Sequence, residues 1–348
     1  MDAKQYLNQR KILHNHLLDF LDNQNDCEAN FSILITYINN LKITENKNEF
    51  WIFLELILMI SNNHHRSPNF MNKLDQVLSY FGPKIKQTFS NLEIFNTFSK
   101  NKRLLHFLIK NNIFENDDIY MNKITNQYFR EYFLGENVSD PRHKEKKEAG
   151  ENDLEICQII REDQIDEFVI YTNQRNYSLK NKIKLSIYET NSFLKHKREL
   201  TLLEYAFFCG SIQIIKYLMI NGLKLESKLW LFAIHSNNPE VIRLLEDDRI
   251  QLTEKEYQRC LEESVKCHHN EIASYISEYY IKDDKRIRRN PLIYSFKFFN
   301  YEKMAECELN SMFLLYACEY NYIELVKVLL NDEKIDINYT INDVLYNK

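Results

Sequence analysis

The chain has 348 residues, 44% hydrophobic and 27% charged, so it can bury a substantial core, and disorder throughout is excluded. Five glycines and five prolines are too few for a turn-rich β-sandwich or a loop-rich α/β enzyme, and the glycines lie too far apart for G-x-G-x-x-G, a Walker loop or G-x-S-x-G. A net charge of −5 gives no global attraction for polyphosphate or anionic lipid.

The first 21 residues mix charge and apolar residues at helical spacing without an h-region or a small-residue cleavage site, so secretion is not indicated. From Ala3 to about Phe133 apolar residues recur at three and four: Tyr6, Leu7, Leu13, Leu17, Phe20 and Leu21, then Phe31, Leu34, Ile35 and Ile38. The run 50–60 is the most apolar, but its 11 residues contain Glu55 and are too short to cross a bilayer core of roughly 30 Å. It reads as a buried helix. Further helices are predicted over 70–81, 85–98 and 103–113. Residues 1–134 therefore form an all-α region, packed helix against helix. Residues 135–153 carry no large apolar side chain except Val138 and read as a charged, solvated linker or loop.

Beyond residue 200 the sequence repeats itself. Aligning 201–223 with 313–338 places Ala206 on Ala317, Gly210 on Asn321, Ile212 on Ile323, Ile214 on Leu325, Lys216 on Lys327 and Leu218 on Leu329. Each segment reads as two helices joined by a turn. A small residue recurs at Ala206, Ala233, Ser264, Ser295 and Ala317, at spacings of 27, 31, 31 and 22. It marks units at 201–223, 228–251, 258–281, 290–309 and 311–338. An earlier half-repeat, 163–171, carries only the second-helix pattern and is followed by a long insertion, 172–200. Gly210 at the turn is replaced by Asn237, His268 and Asn321, and asparagine tolerates the left-handed conformation better than most residues.

These residues resemble the ankyrin repeat. Thr201, Leu203 and Ala206 match the T, L and A of its T-P-L-H-x-A opening, and Gly210, Ile212, Ile214, Ile215, Lys216, Leu218 and Gly222 follow its second helix and closing turn. Leu202 stands in place of the proline and Glu204 in place of the histidine, so hydrogen bonds to the loop must be supplied differently. A helical region followed by degenerate repeats is also similar to the ankyrin proteins of the protist Trichomonas. The resemblance implies an all-α chain: a helical N-terminal region plus an ankyrin-type α-solenoid of helix-turn-helix repeats over 154–348. Residues 339–348 open what reads as another first helix, so the last repeat is expected to be incomplete or uncapped, and to fray or be docked by a partner.

In ankyrin arrays the two positions before the turn glycine most often touch partners. Carried across, these are Phe208 and Cys209, His235 and Ser236, Lys266 and Cys267, Lys297 and Phe298, and Glu319 and Tyr320. The expected function is a non-catalytic, intracellular, cytoplasmic protein–protein interaction module with no cofactor. The bland reading of Phe208 and Phe298 is that they pack under neighbouring loops.

Other constellations are weaker. Cys260, Cys267, His268 and His269 invite a zinc reading, but Cys260 and Cys267 are seven positions apart, outside the usual two-to-four-residue ligand spacing. The repeat makes Cys260 a core residue and His268–His269 an inter-helix turn. The seven cysteines are odd in number, scattered and set among apolar residues, as in a reduced interior. His64 and His65 read as a helix end with no Cys or carboxylate at ligand spacing, and no metal is expected. Residues 282–289, from Lys282 to Arg289, read K-D-D-K-R-I-R-R beside Tyr279, Tyr280, Phe296 and Phe298, which gives a second reading as a nucleic-acid-associated protein. Asp283 and Asp284 and the acidic balance of the chain favour a solvated inter-repeat loop there. No nucleophile, base and orienting group converge in sequence order, so an enzyme would need an unrecognised site within residues 1–134.

Overall fold

The structure is a computed structural model that describes residues 2–115, 131–133, 142–197, 199–281, 289–333 and 335–337. Among them the chain is almost entirely helical, with two three-residue strands. α1 (Ala3–Asp22) starts where the Asp2 carboxylate accepts the Gln5 N–H at 2.8 Å. It buries Tyr6, Leu13, Leu17, Phe20 and Leu21 against α2 (Cys27–Asn40) and α4 (Phe70–Thr88). α3 (Lys47–Asn63), the apolar run, is buried on almost every side. One charged pair ties α1 to α3: the Tyr6 hydroxyl and Arg10 Nε donate to Glu49 at 2.5 and 2.8 Å.

Two sequence expectations shift here. The helix predicted to stop at 81 runs through Gly82 and Pro83 to Thr88, and Ile113 packs so closely on it that a Cβ on Gly82 would lie 2.6 Å from Ile113 Cδ1. The break falls instead at Ser90, whose side chain forms a capping box with Glu93 to open α5 (Asn91–Phe98). α6 (Lys102–Lys110) follows. The described part of the predicted solvated linker is folded: α7 (His143–Ala149) packs on α6 and ends at Gly150, in the left-handed region at φ 66°. Arg103 holds it by donating to the Glu148 carbonyl at 2.8 Å while its guanidinium forks onto Asp75 at 2.5 and 2.7 Å. Lys147 is buried, its long stem covering apolar surface.

Then come six helix pairs in a row, where five and a half were expected. The expected half-repeat is a whole pair, α8 (Glu155–Arg161) and α9 (Ile165–Gln174). The others are α10 (Leu202–Cys209) with α11 (Ile212–Ile220), α12 (Leu229–Ser236) with α13 (Pro239–Asp247), α14 (Glu254–Lys266) with α15 (Asn270–Tyr279), α16 (Arg289–Lys297) with α17 (Tyr301–Ala305), and α18 (Ser311–Glu319) with α19 (Ile323–Leu329). Each first helix packs on its own second helix and on the first helix of the next pair. The small residues Ala206, Ala233, Ser264, Ser295 and Ala317 are fully buried at these junctions. Four residues after each comes a turn residue with positive φ: Gly210 (78°), Asn237 (51°), His268 (60°), Phe299 (57°) and Asn321 (60°). Asp163 (48°) plays the same part in the first pair. α10 opens on a capping box, Glu204 accepting from the Thr201 N–H at 2.8 Å and donating its own N–H to Thr201 Oγ1 at 3.1 Å.

The insertion folds back as a strap. β1 (Lys182–Lys184) pairs antiparallel with β2 (Glu199–Thr201), Ile183 opposite Leu200. Between the strands, the Ser192 N–H donates to the Asn62 carbonyl at the end of α3, 2.7 Å away. The apolar core does not divide at the predicted 134/154 boundary. One cluster runs over 156–281, and a second joins the N-terminal helices to the last two pairs, with α1 packed on α17 and α19 and α3 on α19.

Gly210 and Asn237 occupy equivalent turns with opposite consequences for substitution. A Cβ at Gly210 would stand 3.2 Å from Ser236 Cβ in a left-handed backbone, so Gly210→Ala should destabilise by roughly 1–2 kcal/mol. Asn237→Gly should be nearly neutral. Urea midpoints of the two variants measure the contrast, and equal shifts would contradict it.

Candidate functional site

The ten residues expected to face partners are mostly covered. Lys297 and Glu319 are exposed; Phe208, Cys209, Ser236, Lys266 and Tyr320 are half-buried; His235, Cys267 and Phe298 are buried. The cover is the chain itself. Phe193 of the strap stacks on His235 with ring centres 4.3 Å apart and lies parallel to Phe208 at 6.4 Å. Lys197 places its ammonium 4.4 Å from the centre of the Phe193 ring. Phe208 thus packs under a neighbouring loop, and Phe298 carries Lys297 over its ring at 5.0 Å.

The N-terminal helices close on the turn between α14 and α15, and the contact is built of histidine. His14 of α1 meets His268, Nε2 to Nδ1, at 2.9 Å with both rings buried. His64, the residue after α3, directs Nδ1 at the Cys267 carbonyl at 2.6 Å and Nε2 at the Asp22 carboxylate at 2.9 and 3.1 Å. His65 Nδ1 lies 3.1 Å from His269 Nε2, and His269 Nδ1 lies 2.8 Å from the Ile234 carbonyl. His64 and His65 do follow a helix end, as expected, but Asp22 and His269, which are not at ligand spacing in the chain, stand beside them. Linear spacing could not reveal it, because the partners are 42 and 204 positions away.

The electrostatics follow from burial. His14 is pushed down to about 3 by desolvation, with His64 adding to the shift. Asp22 is raised by burial, but its hydrogen bond and proximity to His64 outweigh this and hold it below the usual carboxylate range. Burial likewise lowers His235, against the pull of Glu263.

The four-residue zinc set considered from the sequence is not assembled. Cys260 sits in the apolar core, Cys267 faces His235, His268 faces His14 and His269 faces His65. Cys267 Sγ lies 3.4 Å from His235 Nδ1, and Glu263 Oε1 lies 2.9 Å from Nε2 of the same ring. The same sulfur lies 3.8 Å from Nε2, so the thiol sits beside both ring nitrogens and the three groups do not form a line. The thiol is fully buried, and that burial pushes it well above its usual range.

An open groove runs along the N-terminal ends of α10, α12 and α14, lined among others by Phe193, Lys197, Lys228, Leu231, Glu256 and Arg259. Sequence reasoning missed it because it placed the contact stripe at the opposite ends of the same helices. The basic cluster at 282–288 and the terminal segment 338–348 lie outside the described residues. No helix is long and apolar enough to cross a membrane among the described residues. No family model matches the chain, nor does any curated protein or solved structure.

His14 gives the interface a pH signature. The unfolded side chain titrates near 6.5 and the folded one near 3, so between these values the unfolded state binds the extra proton. Stability is full above about pH 6.5 and falls as pH drops, by up to about 1.4 kcal/mol per pH unit for this group. His14→Gln should flatten the profile of urea midpoint against pH between 7 and 5. An unchanged slope would show that His14 does not carry it.

Proposed function

We propose that the chain is a non-catalytic protein–protein interaction module, a degenerate ankyrin-type array onto which its own N-terminal helices are folded. The observation that supports this reading best is the fixed offset in five successive pairs between a buried small residue and a left-handed turn residue four positions later. A row of pairs built this way is held by nearest-neighbour contacts and presents a continuous edge, and repeat proteins bind along such edges. The strap and the N-terminal helices occupy most of the turn-side edge, so the partner surface is the groove at the other ends of the first helices.

That groove has the composition of an interface. Leu231 and Phe232 supply apolar area at its floor, while Lys197, Lys228 and Arg259 alternate with Glu204 and Glu256 around it. Arg259 is exposed, and Lys228 bridges to Glu204 at 3.2 Å. A peptide segment bearing both an apolar anchor and an acidic group fits this arrangement, because interface energy concentrates in a few desolvated side chains and charge sets their register.

The test is affinity capture from the native cell with the full chain as bait. Leu231→Glu combined with Arg259→Glu should reduce recovery of any specific partner by about tenfold or more, corresponding to about 1.4 kcal/mol. Glu319→Ala at the far end of the row should leave recovery unchanged. Equal recovery with the double variant would move the binding surface elsewhere.

A further inference from the structure

We propose that the contact of His14 with His268 is an acid-released latch: protons taken up by this pair part α1 from the turn between α14 and α15, while the N-terminal helices stay seated on the last two helix pairs. The inference rests on this seam alone and stands apart from the partner-binding reading.

The apolar cores show where the molecule can part. One unites the N-terminal helices with residues 292–335, and the other covers 156–281. His14 comes from the first side and His268 from the second, and they meet through a polar contact at the boundary. Opening at such a boundary exposes far less apolar surface than unfolding either core, so it belongs to the low end of the opening free energies of a folded chain.

The proton count of the pair follows from its geometry. His14 Nε2 and His268 Nδ1 are 2.9 Å apart, the rings stand edge-on with centres at 4.8 Å, and both are buried. The contact holds one proton, whichever ring donates it. The outer nitrogens, His14 Nδ1 and His268 Nε2, are buried without a hydrogen-bond partner. With both rings neutral, one outer nitrogen carries a proton and the other is bare. An added proton must enter at the bare one, where no acceptor receives it. Released into water, each ring takes up a proton near pH 6.5.

The charged groups on the surrounding elements do not compensate. His64 is a further base acting on both rings. Arg10, one turn before His14 on α1, is paired with Glu49 of α3, and Glu302 of α17 is paired with Lys11 at 2.7 Å. Lys73 of α4 donates to the Leu21 and Asn23 carbonyls, and Glu324 and Lys327 of α19 bridge to each other. Asp22 faces His64 and His65, and Glu263 of α14 is held by His235 and Lys266. Glu28 of α2 and Glu271 of α15 are exposed. Burial, with these neighbouring bases, accordingly holds His14 down to about 3 and His268 well below its usual value. The His65–His269 pair is of another kind: charge added there is shared with Asp22, 3.5 Å from His65 Nε2, so it takes no part in the release.

The docked pair is neutral and the released pair binds up to two protons, so the latch is closed above about pH 6.5 and weakens as pH falls. Each ring favours release by up to about tenfold per pH unit below that value, and the two together by about a hundredfold between pH 7.5 and 5.5.

The test follows amide hydrogen exchange of the purified full chain by mass spectrometry at pH 7.5 and 5.5, corrected for the intrinsic pH dependence of exchange. Peptides covering the turn at 265–270 should lose about a hundredfold of their protection at the lower pH, while peptides over α17 and α19 keep theirs. His14→Gln should return about tenfold of that loss. Combined with His268→Asn it should abolish the loss, asparagine being the residue at the equivalent left-handed positions 237 and 321. His196→Gln, on the exposed strap, should change nothing. Equal protection of the turn at both pH values would overturn the proposal, as would loss in step over the turn, α17 and α19, which is global acid unfolding. A loss that persists in the double variant would overturn it too, and the wild-type comparison decides alone if that variant does not fold.

Discussion

The row of helix pairs depends on one coupling between a side chain and a turn. The buried small residue lets neighbouring first helices approach, and in four of the pairs its carbonyl also closes the turn that sends the chain into the second helix; at Ala233 the Ser236 hydroxyl takes that place, donating to the Ala233 carbonyl and accepting from the Asn238 N–H. Ser211, His269, Asn300 and Tyr322 donate their N–H groups to the carbonyls of Ala206, Ser264, Ser295 and Ala317 at 2.9–3.0 Å. This is the six-to-one bond of a Schellman ending, which requires a left-handed residue between donor and acceptor. A larger side chain at the small position would push the neighbouring helix away, and a right-handed residue at the turn would break the bond. The two columns therefore occur together, four positions apart.

The turn residues are not equally suited to that geometry, and the unsuited ones mark where the N-terminal helices dock. Glycine, asparagine and aspartate adopt the left-handed region with little cost, whereas a bulky aromatic there is strained. Phe299 holds φ 57°, yet its ring is buried against Trp51 of α3, 6.4 Å between centres, and Tyr322 at 5.4 Å. His268 holds φ 60° and meets His14 of α1. In both turns the backbone strain is offset by a contact with the N-terminal half. The pairs that depart furthest from a regular repeat are the ones that another part of the chain has to recognise.

What could be read from the sequence follows the range of the forces involved. The helices, the pair boundaries and the left-handed positions at Gly210, Asn237, His268 and Asn321 are set by residues within five of one another, and periodicity exposes them. The docking of residues 14, 64 and 65 on residues 267–269 is set by contacts more than 200 positions apart, and no local pattern announces it. Because that docking and the Phe193 strap were invisible, the stripe from Phe208 to Tyr320 was expected to face solvent when His235, Cys267 and Phe298 face the chain itself. The helix at His143–Ala149 was hidden for another reason: charged residues bury their stems and keep their heads paired, so composition alone reads them as solvated.

The two seams that hold the N-terminal helices differ in chemistry, and the difference divides their work. At the end of the row, α1 and α3 meet α17 and α19 through apolar groups such as Met304 and Leu325, whose burial is favourable and tolerant of small shifts. At the middle of the row the contact is polar and buried: His14 on His268, His64 between Asp22 and the Cys267 carbonyl, Ser192 against Asn62. Buried polar groups add little net stability when paired and cost heavily when displaced, so such a seam tolerates one register only. The apolar seam therefore supplies most of the attraction, and the histidine seam fixes where along the row the N-terminal helices come to rest. A chain with only the first could slide by a helical turn and still bury its surface. With the second in place, such a slide leaves at least four imidazoles and a carboxylate without partners.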